Sequence, residues 1–187
     1  MNRKIMTAFV MWLRRKHPGT IIRMRDFMMY YIQHVFGIVP MSASLSARVF
    51  RKDGTVEDLG TISTHAVTDA FVAYLTDSLQ GTEADWINFK YHDSGTGTNV
   101  EAAGNTVLQT PCGETREIGT QIEGATANIY KSIATNTYAG AFAITEHGLF
   151  NAAAVGTLMD RSVFTAITIE ADDKIEFTYQ LTCTSGG

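Results

Sequence analysis

Polar and apolar residues alternate without a break over the last strand-like run of the chain, DKIEFTYQLTC. Ile175, Phe177, Tyr179 and Leu181 fall on one side; Lys174, Glu176, Thr178, Gln180 and Thr182 fall on the other. A period of two with one wet face predicts a half-buried antiparallel strand. SLSARVFR repeats the pattern with Leu45, Ala47 and Val49. The Asp53-Gly54 pair then marks a hairpin turn, and TVEDLGTIS reads as the return strand. One segment changes period. In VTDAFVAYLTDSLQG (67–81), Val67, Phe71, Tyr74, Leu75 and Leu79 or Ser78 form a helical stripe. Thr68 is placed to cap it, Asp69 favours the helix dipole and Gly81 ends it. WINFKYH, TREIGTQIE, TANIYKSIAT, TYAGAFAITEHGLF and GTLMDRSVFTAITIE are further strand-like runs separated by Gly, Asn and Asp. Together they predict a mainly β fold: an antiparallel β-sandwich or jelly-roll-like domain with one helix over residues 41–187.

The first forty residues follow a different pattern. Residues 4–16 and 20–36 have helical character, and Ile21, Met24, Met28, Tyr31, Ile32 and Val35 form a stripe in the second. They predict a short helical N-terminal arm, 1–40, ahead of the β domain. Charge divides at the same place. The arm has seven Lys or Arg against one acid, leaving eight bases against eighteen acids after residue 40, so the balance is +6 and then −10. An acidic body argues against nucleic-acid binding by the body. Arg14, Arg15, Arg23 and Arg25 are candidate contacts to DNA or to an acidic protein surface, or else the solvated face of a helix. The apolar run IMTAFVMWL (5–13) ends in RRKHPG, not in a cleavage site, and is too short for a bilayer. Neither export nor a membrane span is expected from it. Cys112 and Cys183 have no ligand spacing and read as ordinary thiols, without a metal.

Candidate chemistry centres on YHDSGTGT (91–98). Asp-Ser-Gly presents the catalytic carboxylate in aspartic proteases, which makes a hydrolase using Asp93 the rival from the enzyme class. That chemistry needs a second carboxylate and an apolar strand running into the first. Here Lys90, Tyr91 and His92 precede Asp93 and turn formers follow it, so the stretch predicts a solvated strand end and a turn. Glu146 and His147 are adjacent and must point to opposite faces of a strand, which predicts a hydrogen-bonded His147 rather than a metal ligand pair. GxSxG, P-loop and strand-helix GxGxxG patterns are missing from the sequence, and no cofactor is expected. Asp160 and Arg161 read as a local charge pair on an exposed strand face or, given the weight of Arg at interfaces, as an anchor for a neighbouring subunit.

The ordered set YHDSGTGT, GATANIYKSIAT, AITEHGLFNAAAVGTLMDRSVFTAI and DKIEFTYQLTCTSGG resembles small tailed-bacteriophage virion proteins, over about residues 41–187. In that group an Asp-Gly hairpin, one helix, a YH-x-x-GTGT turn, a TEHGLF strand and a DRSVF strand occur in this order. The resemblance implies a non-enzymatic part of the phage particle: a capsid decoration or cement protein, or else a neck, tail-tip or fibre-attachment component. Its partners would be the major capsid protein or another virion protein, together with its own copies as a homo-oligomer. Its place would be the virion, assembled in the host cytoplasm. The family-like part begins naturally at Met41, which makes 1–40 either an added arm or an upstream start.

Overall fold

A computed structural model describes residues 41–65, 67–82 and 86–184; the arm, with Arg14, Arg15, Arg23 and Arg25, lies outside them. Two antiparallel sheets face each other. The first has the order β2-β1-β9-β6-β5: β1 Met41–Phe50, β2 Val56–His65, β9 Lys174–Cys183, β6 Ile129–Thr137 and β5 Thr120–Glu123. The second has the order β4-β3-β7-β8: β4 Glu117–Ile118, β3 Tyr91–Gly95, β7 Phe142–Phe150 and β8 Leu158–Ile169. Among the described residues a single α-helix, α1, runs over Asp69–Leu79, and a short 3-10 turn over Trp86–Asn88. No helix among the described residues is long and apolar enough to cross a membrane.

The strands with one wet face form where their alternation places them. Leu45, Ala47 and Val49 of β1 and Ile175, Phe177, Tyr179 and Leu181 of β9 are buried in the core between the sheets. The Asp53-Gly54 turn joins β1 to β2, where the Asp53 carboxylate accepts the Thr55 N–H. The Thr68 hydroxyl accepts the Phe71 N–H and donates to the Leu158 carbonyl, so the cap also ties α1 to β8. Phe71 and Tyr74 of α1 pack edge-on against Phe89, each 5.1 Å from its ring centre.

Three expectations change. WINFKYH is not one strand, since Trp86–Asn88 forms the 3-10 turn and β3 begins at Tyr91. TREIGTQIE divides at Gly119, leaving β4 in one sheet and β5 in the other. A side chain at 119 would stand 2.3 Å from Ser132 Oγ and 2.8 Å from His92 Nε2, so the crossing needs glycine. The third change concerns Asp93, which lies inside β3 and is buried, as is His92. The second sheet is covered on both faces, by the first sheet inside and by residues 96–116 outside. That segment, linking β3 to β4, is a strap over the sheet.

Candidate functional site

The outward face of the second sheet carries charge under the strap. Glu146 projects from β7 and Arg161 from the neighbouring β8, where Arg161 pairs in register with Gly148. Arg161 Nε donates to Glu146 Oε2 at 2.7 Å. The same carboxylate accepts three strap N–H groups: Gly97 at 3.1 Å, Gln109 at 3.0 Å and Thr110 at 2.7 Å. Arg161 Nη1 reaches the Asn99 carbonyl and Asn105 Oδ1. Burial alone would raise the Glu146 carboxyl, but the Thr110 and Gln109 amides and Arg161 together hold it below its ordinary value. Two glycines of GTGT allow this approach. A Cβ at Gly97 would lie 2.5 Å from Glu146 Oε1, and one at Gly95 would lie 2.3 Å from the Thr110 carbonyl oxygen.

Asp93 faces the same way. Its Oδ2 accepts Arg116 Nε at 3.0 Å, and the guanidinium lies over the Phe150 ring, 3.4 Å from its centre. Arg116 Nη1 donates to the carbonyls of Ala152 at 2.9 Å and Val155 at 2.6 Å. Burial raises the Asp93 carboxyl, with Arg116 opposing. One buried carboxylate thus orients one arginine, and the arginine shapes the β7–β8 loop, residues 151–157. The Asn151 side chain closes that loop by accepting the Thr157 N–H at 2.7 Å. At its tip Val155 is 87% exposed with φ of 58°. A β-branched residue is a strained occupant of the left-handed region. Val155→Asn should therefore raise unfolding stability by about 1 kcal/mol, read as a higher urea midpoint at unchanged slope.

The inward face of the same sheet is polar where a sandwich core is usually apolar. His92 of β3 and His147 of β7 lie ring to ring, with His92 Nδ1 2.9 Å from His147 Nε2. His92 Nε2 is 2.8 Å from Ser132 Oγ across the sandwich, and the His147 ring packs 4.6 Å from Phe177. Burial lowers His92 to about 3 and His147 well below its ordinary value. Farther along, His65 Nε2 of β2 lies 2.5 Å from Asp160 Oδ2 of β8. Tyr179 and Ser162 also donate to Asp160, and Ser63 Oγ sits 3.1 Å from His65 Nδ1. Burial raises Asp160 against the pull of His65. Ser63, His65 and Asp160 form a chain of atoms of the kind that relays a proton. Ser162 Oγ shares His65 Nε2 at 3.2 Å, so the group also knits edge strand β2 to edge strand β8.

Asp160 and Arg161, adjacent in sequence, face opposite sides and do not pair. Asp160 is 1% exposed and Arg161 4%, so neither offers its charge to a neighbouring subunit; Arg161 answers Glu146 and Asp160 answers His65. Both lie in strands covered on two faces, which is why the exposed-face expectation fails. Glu146 and His147 also point to opposite faces. Cys112 and Cys183 are free thiols, and Cys112 Sγ donates to the Ser94 carbonyl. Among the described residues no cluster of three or more His, Cys, Asp or Glu is arranged to hold a metal. Sequence reasoning passed over Arg116, Gly97 and Val155. A signal existed for the last: NAAAVG puts an apolar run between two strands, where a polar turn is the norm. No protein-family model, curated protein or solved structure matches this chain.

Proposed function

We propose that the chain is a non-enzymatic structural protein of a tailed-phage particle, a capsid decoration or cement protein that binds the capsid surface and its own copies. The observation that carries this reading is the use made of Asp93. The carboxylate that a hydrolase would keep for its substrate is committed to Arg116, and Arg116 is committed to the shape of an exposed loop. Glu146 serves the strap in the same way. The chemically capable side chains of this sheet act as struts beneath two ordered surface segments, an arrangement suited to presenting a surface. The ordered segments YHDSGTGT, TEHGLF and DRSVF, which resemble virion proteins, fall on this construction.

Antibody labelling of intact particles tests the location. Dense, regular label over the head is expected. Label confined to the neck or tail would make this a tail component, and label only on unassembled protein would reject the particle reading. Asp93→Asn separates the enzyme alternative. The amide keeps an acceptor for Arg116 but loses the charge, so a stability loss of roughly 1–3 kcal/mol is expected, with particle binding retained. A hydrolytic activity that vanishes in this variant while the fold persists would favour the hydrolase.

A further inference from the structure

β2 and β8 are edge strands of different sheets, and no ladder joins them among the described residues. They meet at one end through His65, Asp160 and Ser162, and part beyond it around a cleft of about 490 Å³. Leu59 and Ile62 of β2 and Ile167 of β8 give the cleft an apolar lining. A bulge in β2 decides what stands beside it. Leu45 pairs with Ser63 and Ser46 with Thr61, so Ile62 is the extra residue. Ser63 and His65 lie opposite Leu45 and Ala43, which are buried between the sheets, whereas the Thr61 hydroxyl meets that of Ser46 on the outer face. Ile62 packs against the core, so the bulge turns Ile62 and Ser63 to the same side. Ser63 is half-buried there, next in sequence to the cleft's Ile62.

We propose that Ser63 is a nucleophile which His65 activates and Asp160 orients, an acylation site for small esters with an apolar acyl group. His65 Nε2 lies 2.5 Å from Asp160 Oδ2, and a carboxylate at that place calls for the ring proton on Nε2. Nδ1, 3.1 Å from Ser63 Oγ, is then the bare nitrogen that accepts the hydroxyl proton. Asp160, 1% exposed, is itself held by the Tyr179 and Ser162 hydroxyls. The roles are those of a hydrolytic triad with the two ring nitrogens exchanged, and such a triad is defined by geometry and role. In the step, a bond forms between Ser63 Oγ and the acyl carbon, and the bond from that carbon to the leaving alcohol oxygen breaks. The Ser63 proton passes through His65 Nδ1 to the leaving oxygen. Because β2 is an edge, alternate N–H groups on its free side lack a ladder partner and are the donors open to the oxyanion. The cleft has the size of a small-ligand site, and its lining suits an apolar acyl group. This goes beyond the particle reading and does not rest on it, since one acyl group per copy requires no turnover.

The test uses the full-length protein with p-nitrophenyl butyrate, reading nitrophenolate release and mapping the butyryl group by peptide mass spectrometry. A burst of one equivalent per chain is expected, with the adduct on Ser63. Ser46 is the internal control, a half-buried serine of the same strand pair bonded to Thr61 instead of a histidine. Ser63 should react on the order of a hundredfold faster than Ser46, the scale of general-base assistance. Ser63→Ala should abolish the burst, and Asp160→Asn should slow it on the order of a hundredfold or more. Nitrogen chemical shifts of His65 in the folded wild type should show the proton on Nε2 and Nδ1 bare. They read the role of Asp160 even where Asp160→Asn fails to fold. No adduct on Ser63, equal labelling of Ser46, or a proton on Nδ1 with Nε2 bare would overturn the proposal. Antibody labelling scores the particle reading separately. Nitrophenolate release that continues past the burst would keep the site and remove the non-enzymatic part of that reading.

Discussion

Glu146→Ala is expected to lower unfolding stability by about 3–5 kcal/mol, the scale for stranding one half of a buried ion pair. Two losses combine. Arg161, enclosed between β8 and the strap, keeps its charge with only the Asn99 carbonyl and Asn105 Oδ1 as acceptors. Gly97, Gln109 and Thr110 lose the shared acceptor that holds the strap to the sheet. Against a typical total of about 5–15 kcal/mol, the variant would be partly unfolded at room temperature or close to it. Arg161→Met should cost less, because Glu146 keeps its three backbone donors and methionine fills much of the volume. The double variant should fall well short of the sum, since the two residues share one network. Urea titrations of the four proteins measure all of this. A loss under about 1 kcal/mol for Glu146→Ala would mean that Leu108, packed with Phe150 and Leu158, fastens the strap instead.

The same cluster shows which parts of the fold were readable in advance. The β1–β2 hairpin, α1 and β9 each have one face in water, so their residue patterns carry periods of 2 and 3.6 in plain view. β3, β7 and β8 have none to show. His92, His147 and Ser162 lie inside while Asp93, Glu146 and Arg161 lie outside, so polar residues occupy both faces and alternation disappears. Their partners are far away in sequence: Arg161 meets Asn99, His65 meets Asp160 and His92 meets Ser132. One clue was available. TEHGLF and MDRSVF place opposite charges within apolar runs, and a charge inside a buried strand requires a partner. That argument points to Glu146 with Arg161. It does not reach the strap amides, because backbone donors leave no mark on a sequence. Nor does it reach Gly119, whose crossing depends on the closeness of Ser132 and His92 after folding.

Acid should open this sandwich well before it protonates ordinary carboxylates. An unfolded histidine takes up a proton near pH 6.5, whereas folded His92 does so only near pH 3, and His147 also lies well below its ordinary value. Between these limits the unfolded chain binds more protons, so stability falls as pH falls. The physical cause is burial of both rings, with His92 adding to the penalty at His147. One ring nitrogen donates to the other across 2.9 Å, and a second proton would set two donors face to face. Around them stand Ser132 of β6, Ser94 and Ser162 hydroxyls, Phe177 and Tyr179 of β9, and Asn136; the titratable neighbours on this face are His65 and Asp160, already engaged with each other. Two such histidines should remove about 4 kcal/mol between neutral pH and pH 5. Asp93 and Asp160, raised by burial, take up protons first in the folded state and so oppose the loss at its acid end. Glu146, held below its ordinary value, adds to the loss below about pH 4.5, the ordinary value for that carboxyl. Urea midpoints at pH 7, 6 and 5 should therefore fall steeply. His92→Gln with His147→Phe should flatten that slope even where it lowers the midpoint at pH 7. Imidazole resonances of the folded wild type give an independent reading that needs no variant. Those of His92 and His147 should stay in the neutral form down to the unfolding transition, and a titration of either near pH 6.5 in the folded protein would rule the mechanism out.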